Sequence, residues 1–245
     1  MLEGLRAAAS GMIAQQQRMD ALSSDIANVS TTGYKHQRTS FRDLASSEVG
    51  MGAAAGIAAG AGAAADPAGR GFGQGAMRIT DEPLDVAIEG DGFLQVKLAD
   101  GSTALTRDGS LHVDARGRLT TSTGALLQPP VTLPRGVSPQ ELKINPDGTL
   151  VAQGRPMGRL TLVGVASPGK LADAGDSTFK TTAASGPPRA AGTGTTVTQG
   201  ALEASNVDLG DAMVDLIGAQ RGFQMASQAV RTQDQMLQIA NQVKS

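Results

Sequence analysis

The sequence contains no cysteine and few aromatic residues. Without a thiol, the chain can form no disulfide, no thiolate metal site and no cysteine nucleophile. Only five Phe and one Tyr supply aromatic rings, although 40% of the residues are hydrophobic. The core of this 245-residue chain must therefore be packed from Leu, Val, Ile, Met and Ala, which suits helix seams and thin β layers.

An excess of charge and long apolar runs are also absent. The 21 basic and 23 acidic residues nearly balance and form no run of one sign, so we expect no nucleic-acid partner. No stretch approaches the ~18 uninterrupted apolar residues of a membrane span, so we expect the protein not to be membrane-embedded. The first residues lack a charged start followed by an apolar segment, so we expect no cleaved secretory signal peptide.

Residues that could catalyse a reaction or bind a cofactor are sparse. The two histidines, His36 and His112, are expected to be solvated polar residues. No G-x-S-x-G motif is present, and the glycine-rich segment 69–75 lacks the lysine of a phosphate-binding loop. The Asp-Gly pairs lack the further oxygen ligands of a calcium loop. The sequence therefore predicts no enzyme, no cofactor and no metal site.

Both ends of the chain carry a heptad repeat, which is typical of paired helices. The N-terminal repeat is interrupted by Gln15, and its helix is expected to end near Asn28. The C-terminal repeat has mostly alanine at its second apolar position, with Gln233 as the polar interruption. Ser205 or Asn206 is expected to cap this second helix.

Apolar residues that lie off these two seams indicate a second apolar surface. They are Leu2, Ile13, Met213, Ile217 and Met225. A simple helix hairpin would leave this surface exposed, so we predict self-assembly; the alternative is a binding or scaffold module that docks its β domain on a partner. The predicted assembly interface comprises Leu5, Met12, Met19, Leu22, Ile26, Val29, Leu209, Met213, Leu216, Phe223, Val230 and Leu237.

The middle of the chain has a different pattern. Residues 45–76 are rich in Gly and Ala, which predicts a flexible arm. From there on, Asp-Gly and related pairs separate short alternating apolar runs, which is typical of a β-meander with tight hairpins. The predicted fold class is α+β, with the terminal helices paired as a coiled-coil-like layer and a central all-β domain. The predicted domains are 1–44, 45–76, 77–200 and 201–245.

Three segments together resemble the bacterial flagellar rod and hook family. The first runs from Ala8 to Lys35 and includes DIANVSTTGYK; the second runs from Gln74 through PLDVAIEGDGF to Ser110. The third comprises LEASNVD at residues 202–208 and the segment from Gln220 to Leu237. The motif residues of the two ends are Asn28, Thr31, Gly33, Tyr34, Ser205, Asn206, Gln220 and Arg221.

This resemblance implies a function. Family members are axial structural proteins of the flagellar basal body, in which paired terminal helices form the inner layer of a tube. The resemblance implies polymerisation into the rod, the axial drive shaft, with the distal rod type favoured. A proximal rod or other hook–basal-body axial protein is the alternative. It also implies partners and a location: copies of itself, other rod and hook proteins, the flagellar type III export apparatus, ring proteins or peptidoglycan, and a rod that spans the periplasm.

Overall fold

The computed structural model describes residues 2–44, 62–134 and 136–243. The chain divides into two compact units. Unit 1 contains Met1–Ala27, Gln37–Ala68 and Asp208–Ser245, and unit 2 contains Asn28–His36 and Gly69–Val207. The chain thus passes between the units four times. No described helix is both long enough and apolar enough to cross a membrane.

Unit 1 contains two long helices and a β hairpin. Helix α1 spans Leu2–Ala27 and helix α2 spans Leu209–Val243. Strand β1, Gln37–Asp43, pairs with strand β2, Ala63–Arg70, whose last two residues already belong to unit 2. The two heptad repeats therefore lie on helices, and the predicted α+β class is confirmed.

The ends of the two helices correct two details of the sequence prediction. Helix α1 ends at Ala27, close to the predicted Asn28, so Val29 lies beyond the helix and is not part of its seam. Helix α2 is capped by Asp208, whose Oδ1 accepts a hydrogen bond from the Asp211 N–H over 3.1 Å. A carboxylate suits this position because it also complements the helix dipole. The predicted cap, Ser205 or Asn206, is therefore wrong.

Unit 2 is an all-β structure with short strands. The strands are β3 Met77–Ile79, β4 Val86–Glu89, β5 Phe93–Lys97, β6 Thr103–Thr106, β7 Leu111–Val113, β8 Leu119–Thr121, β9 Leu126–Gln128, β10 Leu142–Ile144, β11 Thr149–Ala152, β12 Arg155–Arg159, β13 Leu162–Gly164, β14 Ala172–Gly175, β15 Thr178–Lys180, β16 Arg189–Ala190, β17 Thr196–Gln199 and β18 Ala201–Glu203. The largest sheet has the strand order β14-β15-β6-β5-β9-β8-β7; β13 also pairs with β5, and β16 pairs with β13. Strands β10-β11-β12 form a meander, while β17 pairs with β4 and β18 with β3.

Most of the predicted turns join paired strands, but two do not. The Asp100-Gly101 turn joins β5 to β6, and the Asp147-Gly148 turn joins β10 to β11. In contrast, Asp108-Gly109 does not join a hairpin, because β6 pairs with β5 and β15 whereas β7 pairs with β8. Asp91-Gly92 likewise follows β4, which pairs with β17. A simple meander therefore describes only parts of unit 2.

The core of unit 2 is mainly aliphatic, as the composition requires. Its largest cluster includes Ile88, Leu94, Leu127 and Leu150, all nearly inaccessible to solvent. A smaller cluster gathers Phe93 and Phe179 beside Leu105, Val163 and Leu171. Phe72 packs against the same cluster, so three of the six aromatic rings of the chain meet there.

Only part of the predicted flexible arm lies among the described residues. Residues 45–61 are outside them, whereas Ala63–Arg70 forms a half-buried strand instead of a flexible linker. Pairing with β1 supplies the backbone hydrogen bonds that an alanine- and glycine-rich segment does not specify by itself. Unit 2 extends over 28–36 and 69–207, and is therefore wider than the β domain expected at 77–200.

Candidate assembly surface and buried polar junction

Helices α1 and α2 pack against each other in antiparallel orientation. Arg18 Nη2 lies 2.8 Å from Asp215 Oδ1, while the far end of α1 meets α2 at Gly4 and Gln233. The Arg18–Asp215 ion pair is largely exposed, so it contributes at most ~1 kcal/mol. Burial of apolar side chains between the helices is the larger stabilising term.

Small residues lie on the side of α2 that faces α1. Ala212 and Ala219 are buried there, as expected where small side chains permit close packing. The predicted seam residues around them are half-buried: Leu5, Met12, Met19, Leu22, Ile26, Leu216, Phe223 and Val230. Of the other predicted interface residues, Leu209 and Met213 are exposed, Val29 is half-buried beyond the helix, and the Leu237 side chain lies outside the described residues.

An exposed apolar row runs along the opposite face of α2. Val214, Met225 and Met236 are 70%, 69% and 54% exposed, and they recur every eleven residues. Because a helix turns by about 100° per residue, this spacing keeps them on one face, opposite Ala212 and Ala219. The outer row consists of Val214, Ile217, Met225, Met236 and Ile239.

Helix α1 has no comparable row, because the hairpin covers a second side of it. The Ser10 hydroxyl accepts a hydrogen bond from the Ala63 N–H, and the buried Asp25 carboxylate accepts one from the Gln37 N–H at 3.0 Å. Ile13, 61% exposed, is the one large apolar side chain of α1 that is well exposed among the described residues. Among the described residues of unit 1, the exposed large apolar side chains therefore lie mainly on α2.

Unit 2 contains a buried cluster of charges. Glu203 accepts hydrogen bonds from Lys35 Nζ at 2.6 Å and from Arg107 Nη1 at 3.2 Å. All three side chains are at most 2% exposed. Burial lowers the pKa of Lys35, and the hydrogen bond and charge of Glu203 oppose that effect. One carboxylate is therefore paired with two cations in a place that is closed to water.

Backbone groups complete the coordination of these charges. Lys35 Nζ also donates to the Gly73 carbonyl at 2.8 Å, and the Gly75 N–H donates to Glu203 Oε1 at 2.8 Å. Arg107 Nη2 donates to the Gly90 carbonyl. The Nε of Arg107 is buried and has no hydrogen-bond partner in the described part of the chain.

Asn206 links the same chain segments next to this cluster. Its Oδ1 accepts from the His36 N–H at 2.8 Å, and its Nδ2 donates to the Gly71 and Gly73 carbonyls. We call Lys35, Arg107, Glu203 and Asn206 the polar junction. Segments 28–36, 69–75 and 203–207, which carry the chain into and out of unit 2, are hydrogen-bonded to one another there.

Cation–π contacts extend the junction to the aromatic cluster. The Arg70 guanidinium lies 4.9 Å from the Tyr34 ring, and that of Arg107 lies 5.2 Å from the Phe93 ring. Arg70 also donates to the Lys35 carbonyl at 2.6 Å. Tyr34 and Phe93 are therefore fixed beside the segments that enter unit 2.

The structure brings together six of the eight predicted motif residues. Asn28, Thr31, Gly33 and Tyr34 form the turn after α1, and the Gly33 N–H donates to the Glu203 carbonyl at 2.9 Å. Ser205 and Asn206 follow β18 in the same unit. Gln220 and Arg221 belong to unit 1, where they are exposed side chains on α2.

Sequence reasoning assigned no role to the three charged residues of the junction. Lys35, Arg107 and Glu203 fall inside the three segments that carry the resemblance, but they are separated by up to 168 positions in the chain. A usable signal was present for two of them: Arg107 directly follows β6 and Glu203 ends β18, both apolar segments in which an unpaired charge is costly. Which charges pair with one another depends on the fold.

Models of three flagellar protein families match the chain. They are described as "Flagella basal body rod protein", residues 5–35, "Flagellar hook protein FlgE/F/G D1 domain", residues 87–152, and "Flagellar basal body rod FlgEFG protein C-terminal", residues 198–243. The matched regions cover the N-terminal helix with its following turn, much of unit 2, and α2.

Curated proteins match over nearly the whole chain. The flagellar basal-body rod protein FlgG of Caulobacter vibrioides is 36% identical and covers 100% of both chains. FlgG of Bacillus subtilis is 34% identical over 97% of each chain, and FlgF of Escherichia coli is 33% identical over 91% of this chain and 90% of its own.

The two terminal helices are paired, and the β unit lies between them in the sequence. Together with the matches, this architecture defines an axial structural protein of the flagellum. The chain belongs to the flagellar basal-body rod family. The predicted function, a structural subunit of the rod of the distal, FlgG type, is thereby confirmed. FlgF-type similarity at slightly lower identity agrees with the proximal rod protein as the next relative.

Proposed function

We propose that the chain polymerises into the rod through the outer row of α2. The main support is that five large apolar side chains, 50–70% exposed, lie on one face of α2, whose opposite face packs on α1. Exposed large apolar side chains that recur along one helix face are costly in water and are typical of a protein–protein interface. Repeated head-to-tail contacts whose rotation does not close produce an open helical filament, which is the arrangement we propose.

The proposal extends to partners and location. Copies of this chain bind one another and neighbouring rod and hook proteins, and the assembled rod spans the periplasm. The subunit reaches its site through the flagellar export apparatus. The full-length similarity to rod proteins supports this location. We propose no catalytic role, in keeping with a family of structural proteins.

A substitution at the centre of the outer row tests the assembly surface. Met225→Asp places a charge on a side chain that is 69% exposed in the single chain, so it should leave the isolated protein folded. Burial of that charge between subunits would be strongly unfavourable, and rods should be absent. Met225→Leu keeps the apolar character and is the matched control. The measurement is electron microscopy of isolated basal bodies together with swimming motility.

The outcomes separate clearly. Absence of rods in the Asp strain and normal rods in the Leu strain support the proposal, provided that circular dichroism shows both purified chains to be equally helical. Normal rods in the Asp strain would exclude the outer row as the assembly contact.

A further inference from the structure

Gln15 and Gln233, the polar residues that interrupt the two heptad repeats, each lie against a glycine of the other helix. A Cβ atom built on Gly222 of α2 would lie 3.1 Å from Cδ and Nε2 of Gln15. A Cβ atom on Gly4 of α1 would lie 3.0 Å from Oε1 of Gln233. Each glutamine therefore occupies the space that a larger residue on the other helix would need.

The spacing of these contacts is the same on both helices. Gly4 and Gln15 are eleven residues apart on α1, and Gly222 and Gln233 are eleven residues apart on α2. Because the helices run antiparallel and the two spacings are equal, a single alignment of the helices places Gln15 at Gly222 and Gln233 at Gly4. A slip of one heptad would place Gln15 opposite Asp215 or Ala229 instead.

This arrangement has a cost in stability. Oε1 of Gln15 is buried and has no hydrogen-bond partner among the described residues. A leucine there would complete the apolar seam, so packing alone does not explain a glutamine. A buried polar residue in a helix seam is known to select one register at the expense of stability.

We propose that the Gln15–Gly222 and Gln233–Gly4 pairs fix the register of the terminal helices. Without these two pairs, the seam would consist mostly of Leu, Met and Ala residues that repeat every seven positions. Such a seam packs similarly when one helix is shifted by seven residues along the other. A fixed register matters to a rod subunit, because a slip would displace the outer row of α2 relative to α1. The inference thus rests on the proposed function of that row.

Cysteine cross-linking tests the register, since the chain contains no other cysteine. The pair Arg18→Cys with Asp215→Cys replaces residues whose side chains meet in the observed register. The pair Gly11→Cys with Asp215→Cys reports a slip of one heptad, and a Cβ at Gly11 meets no atom within 4 Å. Rods isolated from strains that carry each pair are treated with a short bismaleimide, and cross-linked chains are separated by electrophoresis.

The native seam should favour the 18–215 cross-link over the 11–215 cross-link by about tenfold or more. In a chain with Gln15→Leu and Gln233→Leu the two should become comparable. An unchanged ratio in the leucine chain would overturn the proposal. If the cysteine chains that keep Gln15 and Gln233 build no rods, the result contradicts the proposed function and not the register. If the cross-links join two chains into dimers, the helices pair between subunits, and the register proposal is overturned.

An exchange of the residues at positions 15 and 222 gives a second test, which applies if the chain with Gln15→Leu and Gln233→Leu builds no rods. Gly222→Gln alone should abolish the 18–215 cross-link, because two glutamines then compete for one space. The double variant Gln15→Gly with Gly222→Gln should restore it. Helix propensity does not predict this recovery, since it acts on each helix separately. A double variant no better than Gly222→Gln would overturn the proposal.

Discussion

At the scale of single residues, the polar junction has the largest energetic consequences. Glu203 is the one carboxylate that pairs with both Lys35 and Arg107, and each of the three is buried. Removal of one partner from a buried charge cluster costs ~3–5 kcal/mol, whereas an exposed pair contributes at most ~1 kcal/mol. The three charges therefore do not contribute equally.

Glu203→Leu should destabilise the protein more than Lys35→Met. The first change leaves two buried cations without a carboxylate, while the second leaves Glu203 paired with Arg107. We expect a loss of ~3–5 kcal/mol in the free energy of unfolding for Glu203→Leu, measured with urea. Lys180→Met removes an exposed pair with Asp100 and is the control, with an expected loss below ~1 kcal/mol. Equal losses for Glu203→Leu and Lys180→Met would refute the assignment.

Gly33 should tolerate alanine less well than Gly124. Both have positive φ, +65° and +84°, so both substitutions carry a backbone cost of ~1–2 kcal/mol. Only at Gly33 would the new Cβ also collide, 2.5 Å from the Asp108 nitrogen, whereas at Gly124 no atom lies within 4 Å. Thermal unfolding should therefore show a clearly larger loss for Gly33→Ala; a similar loss at both positions would argue against the tight contact.

At the scale of elements, the two terminal helices differ in how much of each is covered. Helix α1 packs on α2 and on the hairpin, but α2 keeps its outer row exposed. Phe223 lies on the seam and is only half-buried, beside an open groove of about 610 Å³ lined by α2 residues such as Gln224 and Arg231. Replacement of Phe223 by Ala should thus cost less in the single chain than the ~3–5 kcal/mol of a fully buried ring.

The start of α2 gives a prediction at this scale. Asp208→Ala removes the side chain that accepts from the Asp211 N–H and should cost ~1 kcal/mol of helix stability. Ser205→Ala, at the position expected from the sequence to be the cap, should have a smaller effect because its hydroxyl accepts only from the Val207 N–H. Hydrogen exchange of the first turn of α2 measures both. Faster exchange in the Ser205 variant than in the Asp208 variant would contradict the observed cap.

At the scale of the whole molecule, the boundaries of unit 2 depend on residues distant in sequence. Lys35 lies far outside the β domain expected at 77–200, and Glu203 lies just beyond it. A fragment 77–200 would keep Arg107 without its carboxylate and would lose Phe72, whose ring packs edge-on against Phe93 and Phe179. The expected β domain is therefore incomplete without the segments that lead to the helices.

A fragment 28–207 should fold, and a fragment 77–200 should not. The longer fragment retains the whole polar junction, whereas the shorter one buries an unpaired Arg107. Thermal unfolding followed by circular dichroism should show a cooperative transition only for fragment 28–207. A cooperative transition of equal midpoint in both fragments would show that the junction is dispensable for the fold of unit 2.

The sequence by itself determined the two helices, because a heptad repeat is a local pattern with one favourable solution. It also determined most β turns, since Asp-Gly and related pairs restrict the backbone locally. The family followed from the sequence as well, because three segments match it in the expected order. Tertiary structure decided which charges pair, that Ala63–Arg70 forms a strand, and that Asp108-Gly109 joins no hairpin. These features depend on contacts between residues far apart in the chain, such as Lys35 and Glu203, which no local pattern encodes.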